Sequence, residues 1–384
     1  MHTPDGGDAQ RFSCERAAPS VGGRPRPERA RHSTTPGGAV TTAQSPSPDP
    51  EVEGRRRHYG HFYGLTPLPE QPLLLVWGNC QGESFRLLLG DEPGTALADG
   101  ELASVRVPPA FELTADEVPL LHRLMVRARA LVSQPIPDDY RGMPVGTGQL
   151  AALLPEGAEL VCVPVLYCTS RFPWQTTLRH WKAAPGAAER PGEDPPLVPY
   201  HDLRTLVEAY GRLTGAEVAV RAAPGAGVRL PVDPASLQEA AEESVGLLAR
   251  REKVRGLLPV SDLVAAERGV GFHSVNHPDN PLLLAAAQRV AEEIGRRTGL
   301  CPEAGLPADG RTLLGGIRTP VEEQVVEALG LDCEPRPEWT IGGETVPDAV
   351  VRQTHLDWYL SNPACVAAGM ERFAARIRLL RMLP

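Results

Sequence analysis

A chain of 384 residues with 42% hydrophobic and 23% charged side chains has the composition of an ordinary globular protein, with enough material for one large core or two modest ones. Its net charge of −9 excludes the basic field that non-specific nucleic-acid binding needs, and no apolar run approaches the roughly 20 residues of a bilayer span. Of the 39 basic residues only Lys182 and Lys253 are lysines, so few groups could form a Schiff base, and the seven scattered cysteines contain no CxxC pair. Neither a disulfide framework nor a metal site is expected, and a reducing cytoplasm fits this cysteine usage best. The N-terminus carries no apolar stretch of signal-peptide type.

Residues 1–57 are rich in Pro, Gly, Ser, Thr and Arg with almost no large apolar side chains, and read as a disordered tail ending in the solvated cluster Arg55-Arg56-Arg57. A small α/β subdomain is expected over 58–182, a Pro/Gly-rich loop over 183–196, and a mainly helical part over 197–384. Within the first unit, four β-leaning runs, Leu73 to Trp77, Ala103 to Val107, Ala130 to Gln134 and Leu160 to Leu166, alternate with helical or loop stretches such as Ala115 to Arg129. That alternation predicts βαβ units and a small parallel sheet, whose ligands sit beyond the carboxyl ends of the strands. Three segments would converge there: Gly78-Asn79-Cys80, Gln134-Pro135 and Tyr167 to Arg171.

The spacing of apolar residues predicts helices over Leu203 to Tyr210, Ser236 to Val254, Pro281 to Arg297, Val321 to Leu329 and Ala364 to Leu383. Asp202, Asn280, Thr319 and Asn362 stand where N-caps would, the last three before a proline.

The densest chemistry lies in LLLVWGNCQGESFRLLL, where an apolar strand hands over to a helix at Gly78-Asn79-Cys80-Gln81. A thiol at a helix N-terminus is biased toward thiolate by the free N–H groups and the helix dipole. A buried structural cysteine is the alternative reading of the same turn. The second dense segment is FHSVNHPDNP, with His273 and His277 four apart. Pro278 and Pro281 argue against a continuous helix that would turn both imidazoles toward a zinc ion. His277 in a loop suits a general base, its tautomer fixed by Asn276 or Asp279; alternatively Asn276, His277 and Asn280 only satisfy backbone groups at a helix start. His201 is either support or ligand contact, and Arg171, Arg179 and Lys182 interleave with Phe172, Trp174 and Trp181 in a pattern suited to phosphates and a purine. Neither a P-loop nor GxGxxG follows a strand, and GxSxG is absent. Cys80 occupies the place where an SGNH-type esterase carries its serine.

Taken together, WGNCQGESFRLLL, SQPIPDDYRGMPVGTGQLAALLP, VCVPVLYCTSRFPW, the YHD at Tyr200 to Asp202 and FHSVNHPDNPLL resemble the WcbI family of bacterial polysaccharide biosynthesis enzymes, over about residues 70–300. The resemblance implies an α/β protein of principally helical, cradle-like fold that incorporates a small parallel-sheet subdomain, with a deep pocket for coenzyme A. It also implies an O-acetyltransferase role in capsule-type polysaccharides. On that footing Cys80 and His277, or failing it His273, would be catalytic, the histidine as base and Cys80 either taking the acyl group covalently or only lining the thioester pocket. Asn79, Gln81 and the N–H groups after Cys80 would stabilise an oxyanion. Arg141 and Arg171 would meet the phosphates of coenzyme A, and Gly78, Gln134, His201, Asn276 and Asn280 would complete the ligand contacts. Acetyl-CoA enters as substrate, with a sugar or other hydroxyl compound as acceptor. Two other functions fit the same residues: a thiol hydrolase of SGNH-like layout, and a non-catalytic CoA-binding partner of a glycan-assembly enzyme.

Overall fold

The computed structural model describes residues 50–90, 96–97, 99–178, 192–220, 222–223, 226–228 and 232–384. Its centre is a five-stranded sheet in the order β2-β3-β1-β4-β5, formed by β1 (Leu73–Trp77), β2 (Ala96–Leu97), β3 (Leu102–Ser104), β4 (Ala128–Ser133) and β5 (Glu159–Cys162). β3, β1, β4 and β5 run parallel, and β2 is an antiparallel edge. β1 is central, and alternation along it explains its unbroken apolar run. Leu74 and Val76 enter one cluster with Phe85, Leu88 and Leu283, while Leu73, Leu75 and Trp77 enter another with Phe62, Leu121 and Leu124.

The helices that supply these partners are Cys80–Leu89 and Asn280–Thr298 on the first face and Val118–Met125 on the second. The sheet unit expected over 58–182 therefore takes a covering helix from the second half of the chain, and the two parts share one core. That helix is what brings the FHSVNHPDNP segment to the strand ends: it starts two residues after a hairpin of Phe272–Ser274 and His277–Pro278.

Local expectations and structure differ at several points. Pro50–His58 is helical rather than tail, and Arg55 is no solvated charge: it donates to Glu112 Oε2 at 2.8 Å and pairs with Glu117 at 3.3 Å. Residues 1–49 lie outside the described residues, as do Arg179, Trp181, Lys182 and positions 183–191 of the Pro/Gly loop. Within the helical or loop stretch expected from Ala115 to Arg129 the helix is Val118–Met125, and Ala128 and Arg129 already belong to β4. The helix over Ala364 to Leu383 breaks at Phe373 into Pro363–Arg372 and Ala374–Leu379. Asp202 caps Leu203–Thr214 by accepting from the Arg204 N–H at 2.8 Å. Asn280 is not a cap: Asp279 holds that place, its Oδ1 accepting from Leu282 N at 3.1 Å. Thr319 is displaced by Glu322 at the start of Glu323–Leu329, and Asn362 occupies the cap position without a capping bond. A three-stranded antiparallel sheet of Ile317–Arg318, Glu338–Ile341 and Glu344–Pro347, and the helix Asp348–Leu360, were not foreseen.

Candidate active site

Beyond the carboxyl end of β1, Asn79 caps the Cys80–Leu89 helix, its Oδ1 accepting from Gln81 N at 2.9 Å. Gly78 leaves room for the Gln134 amide: a Cβ there would stand 2.4 Å from Gln134 Oε1, the atom that accepts from Asn79 N at 2.8 Å, and would force Gln134 to shift. Gln134 follows β4, so the carboxyl ends of two neighbouring strands are tied together at this turn.

Gln81 is the hub of the assembly. Its Nε2 donates to Leu166 O at 2.9 Å and to Asn276 O at 2.7 Å. Its Oε1 accepts from Leu166 N and from Gln134 Nε2, both at 3.0 Å. One fully buried amide thus joins the Cys80–Leu89 helix, the segment after β5 and the hairpin of the second half, and its two donor hydrogens are spent inside the protein. This corrects the expectation that Gln81 offers a donor to an oxyanion. The N–H groups after Cys80 are committed as well: Gln81 N to Asn79 Oδ1, and Gly82 N to Asn79 O at 2.9 Å.

The hairpin presents His277 to Cys80, Nε2 to Sγ at 3.9 Å across 197 residues of sequence. Tyr200 stands edge-on to the His277 ring, with centroids 6.4 Å apart, and donates to Asn276 Oδ1 at 2.9 Å. Tyr200, stacked in turn against Trp339, is a support that sequence reasoning passed over, although it lies in the quoted YHD. Asn276 therefore braces the hairpin through its carbonyl and its side-chain oxygen. His277 is nine-tenths buried and Cys80 half-buried. Near Cys80, the Nδ2 group of buried Asn79 has no hydrogen-bond partner among the described residues.

Several expected ligand residues stand elsewhere. His201 is fully buried, its Nδ1 2.8 Å from Tyr359 Oη and its ring against Trp358, so it packs the second half rather than meeting a ligand. Asn280 fastens the following loop, donating to Arg311 O at 2.9 Å and accepting from Leu313 N at 2.8 Å. Arg171 donates to Glu267 O at 2.7 Å and is partly buried, which pushes its pKa down. Trp174 is no purine platform, because Arg204 covers its ring at 4.5 Å and its Nε1 donates to Glu322 at 2.9 Å. Arg141 is exposed and donates to Phe111 O, next to Ala110, whose N–H donates to Gly78 O at 2.8 Å; it thus flanks the Cys80 turn. It does so from a strained backbone, with φ +56° at Arg141 and +51° at Asp139. His273 lies beside Arg318 and Arg336, and burial together with these cations and His277 brings its pKa down to about 4. Among the described residues no cluster of three or more His, Cys, Asp or Glu could hold a metal, and no helix is long and apolar enough to cross a membrane.

Fold and site define a mixed α/β protein with a thiol–imidazole pair at the carboxyl end of its parallel strands, completed by a hairpin from the second half. The family model of the polysaccharide biosynthesis enzyme WcbI matches residues 73–298, and the chain belongs to that family. A solved structure of WcbI, described as a novel polysaccharide biosynthesis enzyme, covers 81% of this chain and 97% of its own, with a TM-score of 0.60 and 16% identity. At that identity the likeness is one of fold. The solved form is the native protein without a disulfide bond between coenzyme A and one of its cysteines. No curated protein matches the sequence.

Proposed function

We propose that the chain transfers an acyl group, acetyl in the simplest case, from a coenzyme A thioester to a hydroxyl of a sugar or polysaccharide precursor, with Cys80 as the relay. The observation that carries this reading is the approach of His277 Nε2 to Cys80 Sγ at 3.9 Å, at the N-terminus of a capped helix. An imidazole at that position takes a thiol proton with little movement, and the helix end favours the resulting thiolate. The related WcbI, solved in a form without a disulfide bond between coenzyme A and one of its cysteines, supports a site where coenzyme A and a thiol meet.

In the first half-reaction the Cys80 proton passes to His277, and the sulfur attacks the thioester carbonyl. Collapse of the tetrahedral intermediate breaks the bond between the acyl carbon and the CoA sulfur, which leaves with the proton returned by His277. In the second, the acceptor hydroxyl gives its proton to His277 and attacks the acyl-cysteine, and Cys80 leaves as thiolate and regains that proton. With Gln81 and the following N–H groups committed, Asn79 Nδ2 is the donor we assign to the oxyanion, a role worth about 3 to 4 kcal/mol per donor in other acyl transfers. Arg141, at the exposed rim of the turn, is assigned to the CoA phosphates.

Release of free CoA from acetyl-CoA, followed with a thiol reagent in the presence and absence of polysaccharide-derived acceptors, tests the function. Acceptor-dependent release supports transfer. Release at the same rate with water alone would replace the transferase by a thiol hydrolase, and tight CoA binding without turnover would leave a CoA-binding protein.

A further inference from the structure

On the other flank of the hairpin, Arg318, Thr319 and Arg336, which lie beyond the segment matched by the family model, gather beside His273 without the acids that normally accompany such cations. Thr319 N donates to His273 O at 2.7 Å, and Arg336 donates from its guanidinium to Thr319 O at 2.5 Å. Arg336 also pairs through its backbone with Val321, at 2.7 and 2.9 Å, which fixes it beside the strand Ile317–Arg318. Four buried polar atoms of this group lack a partner among the described residues: His273 Nε2, Thr319 Oγ1, Arg318 Nε and Arg336 Nε. His273 is 9% and Thr319 1% exposed, so these are built into the protein rather than left at its surface.

Neither Arg318 nor Arg336 has an ion pair among the described residues, unlike Arg204, which pairs with Asp202 at 2.6 Å and Glu322 at 2.5 Å. Burial, and after it the like charge of Arg318, hold the Arg336 pKa down, and both cations also act on His273. Asp332 and Glu334 flank Cys333 nearby, but neither is bonded to either guanidinium. One guanidinium nitrogen of each arginine, a hydroxyl and one imidazole nitrogen without a partner among the described residues are costly to keep in one half-buried place unless an anion completes them.

We propose that Arg318, Arg336, His273 and Thr319 form an anion site that takes a phosphoryl or carboxylate group of a ligand lying along the hairpin from Cys80 and His277. The site is defined by its own unpaired groups and does not depend on the acyl-transfer reading. Two ligands carry that chemistry: coenzyme A through its phosphates, and an acceptor bearing a sugar phosphate or a uronate.

The test is isothermal titration of the full chain with sodium pyrophosphate at constant ionic strength. Saturable binding is expected, weakened about tenfold or more in Arg318→Gln and in Arg336→Gln and unchanged in the exposed Arg378→Gln, as follows from losing one charge-assisted contact. Without ligand, Arg318→Gln should melt no lower than the parent, since removing one of two like charges relieves repulsion. Absence of saturable pyrophosphate binding, or equal weakening by Arg378→Gln, would overturn the site. The same variants then separate the sources. Loss of CoA affinity with pantetheine binding unchanged assigns the site to CoA, and loss of glucose 1-phosphate affinity with CoA unchanged assigns it to the acceptor. If CoA fails to bind while pyrophosphate binding responds to both arginines, the anion site stands and the acyl-CoA reading falls alone.

Discussion

The Cys80 turn and the Arg318–Arg336 flank lie on two sides of one hairpin, and they treat their polar groups in opposite ways. At the turn nearly every amide is spent on protein: Gln81 satisfies both its oxygen and its nitrogen across three segments, Gln134 ties Asn79 to Gln81, and Asn276 holds Gln81 and Tyr200. At the flank His273, Thr319, Arg318 and Arg336 each keep a buried polar atom without a partner among the described residues. Polar residues in a binding region thus divide into those that build the scaffold and those whose hydrogen bonds remain to be made. Residue type does not tell the two apart; partner accounting does.

The largest effects should come where reactive atoms are touched. Cys80→Ala should lower acyl transfer by about three orders of magnitude or more, with melting within a few degrees of the parent, as steady-state kinetics and calorimetry would record. His277→Ala should cost about 10²- to 10⁴-fold in kcat, whereas His273→Ala should act mainly by raising KM for the ligand its flank holds; equal kcat losses from the two would dissolve the distinction between the flanks.

Next comes the scaffold. Gln81→Ala would leave Leu166 N, Leu166 O, Asn276 O and Gln134 Nε2 without their partner, at about 1 to 3 kcal/mol for each group that water cannot reach. Denaturant titration should therefore find the variant severely destabilised. An unchanged midpoint would mean that the hub is not one.

A comparable stability effect should appear in acid. His273 and His355 are both held to a pKa of about 4 in the folded protein, chiefly by burial, against 6.5 for the free side chain. Between those values the unfolded chain binds protons that the folded chain does not, so stability is full above about pH 6.5 and falls as pH drops toward 4, by about 3 kcal/mol per histidine at most. His355→Gln should flatten part of that slope in urea titrations run from pH 7 to pH 4. Smallest of all, Gly78→Ala should cost about 1 to 3 kcal/mol through the clash with Gln134, and should lower activity by shifting Asn79.

β1 and its turn were legible because their signals are local: five apolar residues buried on both faces, a glycine, a capping asparagine, then helical spacing. Gln134 reaches that turn as the parallel sheet implies, but the residue that joins it from after β5 is Leu166, inside the run expected as strand, while Arg171 of the expected Tyr167 to Arg171 stretch bonds to Glu267. The role of Gln81 was not legible, since its partners Leu166 and Asn276 are 85 and 195 residues away and a glutamine after a cysteine looks the same whether it meets ligand or backbone. His201 was misplaced for the same reason, its partner Tyr359 lying 158 residues on. The hairpin at Ile341-Gly342-Gly343-Glu344 did carry a local signal. Both glycines have positive φ, +60° and +92°, in the two-residue turn that such a pair favours. That signal is weak because the strands it joins are short and largely exposed. Helix Asp348–Leu360 shows little amphipathic contrast, burying Val351, His355, Leu356 and Tyr359 among polar neighbours, so its periodicity was faint.

The central claim is that the Cys80 sulfur carries the acyl group, and intact mass spectrometry of the protein quenched during turnover with acetyl-CoA tests it most directly. The account predicts one acetyl adduct per chain, absent in Cys80→Ala and accumulating in the absence of acceptor. No adduct under turnover, or an adduct that survives in Cys80→Ala, would contradict it.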